Sequence, residues 1–419
     1  METLLIHNIG LLATHRGSAP LHGAAMAEPM LLQDASILVE NGRVTAVCEG
    51  DSPAQAPSGA RRYDAGGRLV TPGMIDSHTH LVFGGYRQQE VARRVRGVDY
   101  MEILRAGGGI LDTVRHTRAA SFDALYEKSL AFVWEMLARG VTACECKSGY
   151  GLDIETEMKQ LRVARRLAET TPMDVRTTFL GAHAVPPEYA GHTDDYVDFL
   201  VGEAIPAIAA EGLADFCDVF CEEGVFSIAQ SRRILLSAKE HSMPAKLHAD
   251  EIVSLGGGAL AAEVGAVSAD HLIAVDPDGM RALAGSDTIA TLLPQTSLYL
   301  GKPFAPGRAL IEAGAAVALA TDFNPGSCPS NNLQLSMNLG FLKYGLSPEE
   351  VLAAVTLNAA CALGMGAGIG TLEEGKRADI VLWDAEDLSL PCYRMGSNLV
   401  HAVFKDGVLI HESGRAGSC

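Results

Sequence analysis

The stretch Thr71-Pro72-Gly73-Met74-Ile75-Asp76-Ser77-His78-Thr79-His80 places two histidines two positions apart at the end of an apolar run. Pro72 and Gly73 mark the entry of a buried strand, and the polar residues mark its exit to a surface. Side chains at i and i+2 of a strand project the same way, so His78 and His80 present two imidazoles to one side at a spacing that can grip a metal ion. Taken alone, such a pair also fits two ordinary polar residues. The rest of the chain decides, because His183, His248, His271 and Asp322 also stand at the ends of strand-like runs. Among these, His78, His80, His248 and Asp322 make a mixed nitrogen and oxygen set suited to Zn2+ or Fe2+ with an open position for water. Glu251 lies three residues past His248, near enough to exchange a proton with that water without being a ligand. A metal can bring the pKa of a bound water from roughly 15.7 to about 7, so the pattern points to metal-assisted hydrolysis.

For these groups to meet, the strands that carry them must converge. Between Gly73 and Thr321 the chain alternates strand-like runs with helical segments: Gly73–Val82, Val141–Lys147, Val175–Ala184, Ala214–Cys221, Ala245–Ala249, Ala266–Ile273, Ile289–Pro294 and Ala315–Thr321. Ser227-Ile228-Ala229-Gln230 reads as a capping box, and Ser347-Pro348-Glu349-Glu350 combines an N-cap serine, proline at the first helical position and glutamate at the third. Eight strands alternating with helices predict an α/β fold, a (β/α)8 TIM-type barrel whose chemistry gathers at the C-terminal strand ends. An open doubly wound sheet is the alternative, weakened by the lack of G-x-G-x-x-G after the first strand. At the two ends of the chain, short strand-like runs flank Asn41-Gly42 and Lys405-Asp406-Gly407 turns. Each end is too small to close a core alone. The reading is one small β-sandwich domain built from residues 1–70 and 366–419, beside a barrel of 71–365.

Composition narrows the function classes. The chain has 419 residues, 48% hydrophobic and 20% charged, with a net charge of -18, which argues against nucleic acid or an acidic membrane surface as partner. The one long uncharged run, Phe323 to Leu342, is rich in Asn, Ser, Pro and Gly and does not read as a membrane span. The start lacks a signal-peptide pattern, so a cytoplasmic enzyme is expected. Nine cysteines read as reduced small hydrophobes, including Cys144/Cys146 and Cys217/Cys221 inside strand-like runs. The first βα connection, from about Phe83 to Gly140, is long and holds Arg87, Arg93, Arg94, Arg96 and Tyr100. That makes a local basic patch in an acidic chain, with Arg87 nearest the metal-binding strand.

Pro72 to His80, His248-Ala249-Asp250-Glu251, Asp270-His271, Thr321-Asp322 and Gly375-Lys376-Arg377-Ala378-Asp379-Ile380-Val381 together resemble the amidohydrolase superfamily from end to end. More specific stretches are similar to the branch that opens an imidazolone ring in histidine degradation: the surroundings of Arg87, Lys147-Ser148-Gly149-Tyr150-Gly151, Leu180-Gly181-Ala182-His183 and Asp322-Phe323-Asn324-Pro325-Gly326-Ser327. The resemblance implies hydrolysis of the cyclic amide C–N bond of 4-imidazolone-5-propanoate, a small anionic heterocycle, to N-formimidoyl-L-glutamate. It implies one metal ion, zinc or iron, divalent or trivalent, on His78, His80, His248 and Asp322, with no organic cofactor, and it carries the expectation of a homodimer. It also implies that Arg87, Tyr150, His183 and Glu251 contact substrate, while Asn324, Gly326 and Ser327 lie along the product's new carboxylate. His271 and Asp322 would orient the attacking water, His183 would stabilise the oxyanion, and Glu251 would carry the proton to the leaving nitrogen. A mononuclear-metal deaminase of a nucleobase-like heterocycle shares the pattern and is the main alternative. A binuclear hydrolase would need a bridging lysine on the fourth strand, and Ala214 to Glu223 has none. A catalytically silent barrel serving as a scaffold is countered by the intact metal and proton-transfer residues.

Overall fold

The computed structural model describes residues 3–50, 56–97 and 108–414; Tyr100 and the side chain of Arg94 lie outside the described residues. Eight parallel strands follow one another in sequence order around a barrel: Met74–Asp76, Val141–Lys147, Asp174–Ala182, Phe216–Cys221, Lys246–Ala249, Ser268–His271, Ile289–Leu292 and Val317–Leu319. These match the eight predicted runs. The first regular strand is shorter than Gly73–Val82; beyond Asp76 the chain keeps contact with the second strand, where Lys147 N–H donates to Thr79 O at 2.9 Å, and closes the barrel against the eighth. Asp322 N–H donates to His78 O at 3.0 Å, and His80 N–H donates to Phe323 O at 2.9 Å. His78 and His80 therefore sit in the seam where first and last strands meet. Both predicted capping boxes form, at Ser227 and Ser347. The helix after Ser227 turns Ile234, Leu235 and Ala238 onto the barrel, which fixes its angle by burial of an apolar stripe.

The two chain ends form one further hydrogen-bonded sheet. Its N-terminal strands are Thr3–Thr14, Met30–Glu40, Arg43–Cys48, Arg61–Asp64 and Leu69–Pro72, and its C-terminal strands are Ile380–Trp383, Val400–Lys405 and Val408–Glu412. Asn41 and Gly42 take positive φ values of 51° and 78°, and Asp406 and Gly407 take 49° and 72°. Those are the left-handed positions a two-residue hairpin turn requires. The ends meet where Leu69–Pro72 pairs antiparallel with Ile380–Trp383, Pro72 opposite Ile380. Leu4, Ile6, Val39, Ile380 and Phe404 belong to this region's own core. The motif around Asp379 ties it to the barrel: Lys405 Nζ donates to Asp379 at 2.8 Å and to Asp174, at the start of the third barrel strand, at 2.9 Å. At Gly73 the chain crosses from one sheet to the other, and a methyl group there would come 2.3 Å from Thr142 Oγ1. All eight described cysteines are free. Among the described residues no helix is long and apolar enough to cross a membrane.

Candidate metal centre and substrate site

His78, His80, His248 and Asp322 meet in one buried cup at the C-terminal mouth of the barrel. Asp322 Oδ1 lies 3.6 Å from His78 Nε2 and 3.5 Å from His80 Nε2, and the His78 and His248 ring centres are 4.6 Å apart. His183 and His271 complete the cluster, since the donor atoms of His80, His183 and His248, and those of His78, His248 and His271, lie within 4.8 Å of one another. His78 Nε2, His248 Nε2 and Asp322 Oδ1 are buried without a hydrogen-bond partner. Buried polar atoms are nearly always satisfied, so three converging orphans fit a cation. The opposite ring nitrogens face carboxylates. His78 Nδ1 donates to Asp270 Oδ2 at 2.6 Å, and His248 Nδ1 lies 3.0 Å from Asp218 Oδ2, which leaves both Nε2 lone pairs facing the cup.

Beneath the cup is a sealed charge network whose roles sequence reasoning missed. Lys147 Nζ sits 2.7 Å from Asp218, 3.0 Å from Glu145 and 3.5 Å from Asp270, and Lys246 Nζ is 3.0 Å from Glu145. Burial alone would strip the Lys147 proton, but Asp218, Glu145 and Asp270 together hold the ammonium above its ordinary value. Three carboxylates against two ammonium groups leave one excess negative charge, and Asp322 adds another, a balance suited to one divalent cation. The signal was present as charged residues inside otherwise apolar strands, Glu145 and Lys147 two apart and Asp218 within Phe216–Cys221.

Left-handed backbone aims the reacting side chains. Asp250, His271, Leu272 and Asp322 have φ of 50°, 76°, 57° and 59°. Such conformations cost on the order of 1–3 kcal/mol each and persist where surroundings impose them. Here the Asp250 carboxylate imposes one by accepting N–H groups from Leu255, Gly256, Gly257 and Gly258. The turn delivers Glu251 to the mouth, 3.6 Å from His271 Nε2. Burial, with Asp322 adding repulsion, pushes the Glu251 carboxyl up to about 8, and burial pushes Asp322 up to about 6. Thr296 Oγ1 donates to the outer Asp322 oxygen at 2.5 Å, leaving the inner one for the cup.

The wall of the site comes from three loops. His183 stacks on His80 with ring centres 5.0 Å apart, and its Nδ1–H donates to Gly149 O at 3.0 Å. Burial lowers its pKa to about 3, so the ring is neutral. Tyr150, buried 5.4 Å from the His183 ring, is carried by a loop tied down from the following helix. Glu157 accepts N–H groups from Gly149, Gly151 and Leu152, and Gln160 accepts that of Tyr150. Asn324 Oδ1 accepts from Gly326 N–H at 2.8 Å and Ser327 N–H at 2.7 Å, which makes the turn a rigid shelf. The Arg87 guanidinium packs on that shelf against Gly326.

The sequence pattern of the amidohydrolase family matches residues 69–410. An imidazolonepropionase of Parabacteroides distasonis is 45% identical over 408 residues, 97% of this chain and 98% of that protein. An imidazolonepropionase of a Geobacillus strain is 48% identical over 421 residues, 99% of each chain. The chain belongs to the imidazolonepropionase family of amidohydrolases. Solved structures of more remote amidohydrolases share the fold. Guanine deaminase of E. coli superposes with a TM-score of 0.73 at 16% identity, covering 98% of this chain and 99% of that one. A zinc-bound adenosine deaminase of Xanthomonas campestris gives 0.70 at 21% identity, covering 97% of this chain and 92% of that one. In this imidazolonepropionase-family chain, every expected site residue lies around the cup or on the wall beside it.

Proposed function

We propose that this chain hydrolyses the ring C–N bond of 4-imidazolone-5-propanoate to give N-formimidoyl-L-glutamate, using one zinc or iron ion. The observation that carries the reading is the meeting of the His78, His80, His248 and Asp322 cup, with its orphaned His78 Nε2, His248 Nε2 and Asp322 Oδ1, and Arg87 on the Asn324–Ser327 shelf, a cation site beside an anion site. When bound, the metal supplies Lewis-acid polarisation and a water made nucleophilic near neutral pH. His271 and Asp322 orient that water toward the ring carbonyl carbon. With the metal bound, Glu251 in its carboxylate form would take a water proton and deliver it to the ring nitrogen as the C–N bond breaks. The former carbonyl becomes the α-carboxylate, and the formimidoyl group stays on the other nitrogen.

His183 takes a different part from the oxyanion role its resemblance implied. A neutral ring whose Nδ1–H is given to Gly149 O offers a lone pair at Nε2, so it suits receiving a substrate N–H rather than donating to an oxyanion. Tyr150, its hydroxyl kept protonated by burial, stands beside it as a donor. Arg87 faces the propionate, and the shelf receives the new carboxylate. The test is purified protein loaded with zinc or with ferrous iron, followed for loss of imidazolonepropionate and separately for ammonia. Ring opening without ammonia is expected. Ammonia from an aminopyrimidine or aminopurine, with imidazolonepropionate untouched, would replace this reading with a deaminase.

A further inference from the structure

Arg87 is fixed on three sides. At its root, Lys128 Nζ donates to Phe83 O at 3.2 Å and Gly85 O at 2.7 Å, and sits 3.9 Å from the ring centres of both Phe83 and Tyr86. The segment leading to Arg87 is therefore stapled to the helix Phe122–Ala138. On one edge, Arg87 Nε donates to Glu90 Oε2 at 3.0 Å. Glu90 cannot follow a moving arginine freely, because its other oxygen accepts Gly109 N–H at 2.7 Å. Over one face, the guanidinium fills the space a side chain would need at residue 326: a methyl group on Gly326 would come 2.1 Å from Nη1.

A guanidinium can meet a carboxylate through its Nε side or through its two terminal nitrogens. Among the described residues Glu90 occupies the first, which leaves the terminal pair. Charge alone gives no reason for this arrangement. In a chain of net charge -18, an unpaired arginine would draw an anionic substrate more strongly than one already facing a carboxylate. Glu90 weakens the attraction and fixes its direction. We propose that Glu90 is a positioning residue which, by taking the Nε side while Gly326 packs on one face, leaves Arg87 its end-on edge and thereby selects rings bearing a carboxylate tail of matching reach. The proposal rests on the hydrolase reading given above.

The test is steady-state kinetics on imidazolonepropionate and on the tailless imidazolone, for wild type, Glu90→Ala, Arg87→Ala and the double variant. Glu90→Ala should raise KM for the tailed substrate about 5- to 20-fold with kcat within about twofold, a loss of binding made equally in ground and transition states. The tailless ring should be turned over as before. In the Arg87→Ala background Glu90→Ala should cost nothing further, because the two act through one contact. Glu90→Gln keeps one acceptor and should recover part of the loss. It also serves as the probe if melting curves show that the alanine variant does not fold. Equal losses on both substrates, or single losses that multiply in the double variant, would overturn the proposal while leaving the hydrolase intact. A folded, metal-loaded wild type that does not open imidazolonepropionate would remove the underlying reading itself.

Discussion

On the floor of the barrel mouth, Glu145, Lys147, Asp218, Lys246 and Asp270 are sealed from solvent and tied together across four strands. On the rim, Arg87 and Glu90 keep 14% and 17% of their side chains exposed and hold one another within a single helical turn. The floor is built from contacts between residues far apart in sequence, each of which needs its strand in register. The rim is built locally, from one loop resting on one turn. A group of the first kind cannot be altered without disturbing the metal cup, whereas one of the second kind can be exchanged with the cup intact. On the proposed function, the barrel holds the metal cup from its strands and chooses substrate with its loops.

That separation can be broken by experiment. Chelation should abolish turnover of every substrate, and one equivalent of zinc or iron should restore it. Elemental analysis that reproducibly found two metals per chain, or full activity without any, would end the mononuclear reading. Glu251→Gln should lower kcat by about 10²- to 10⁴-fold while metal content and much of the substrate affinity stay as in wild type. A loss under about tenfold would move the proton-transfer role elsewhere. Arg87→Ala removes a hydrogen bond to a charged group worth roughly 1.5 to 3 kcal/mol, so kcat/KM on imidazolonepropionate should fall about 10- to 150-fold. If the tailless ring lost the same factor, the rim would prove to be part of the catalytic machinery. Asp270→Asn should weaken metal binding by about 10- to 100-fold in chelator competition, because His78 loses the carboxylate that orients it. The KM of the metal-saturated variant should not change; a shift there would show that floor and rim are coupled.

The parts of this molecule legible in the sequence were those with a local signature. Buried parallel strands are short apolar runs, and all eight were readable. Caps at Ser227 and Ser347 and the Asn41-Gly42 turn follow from side-chain and backbone chemistry within four residues. The gathering of His78, His80, His248 and Asp322 was readable because each ends a strand, where a barrel must bring them together. Lys147, Asp218 and Asp270 carried no role from sequence reasoning, because a charge inside an apolar strand becomes meaningful only when its partner on another strand is known. The tautomer of His183 was hidden for the same reason, since Gly149 O sets it from across the fold. Glu90 was invisible as a partner of Arg87, because a carboxylate three residues past an arginine on an exposed helix usually signifies nothing beyond a solvated pair.

The pairing of Leu69–Pro72 with Ile380–Trp383 also governs when the chain can finish folding. Strand Leu69–Pro72 leaves the ribosome roughly 300 residues before its partner, an interval of about 15 to 60 s at 5–20 residues per second. Throughout that time the N-terminal half of the sheet presents an unpaired edge and half a core, while the metal-binding strand hangs directly from it through Gly73. Strand Ile380–Trp383 therefore acts as a clasp. A nascent chain arrested before Ile380 should be captured by chaperones or aggregate through the open edge, however complete its barrel sequence already is.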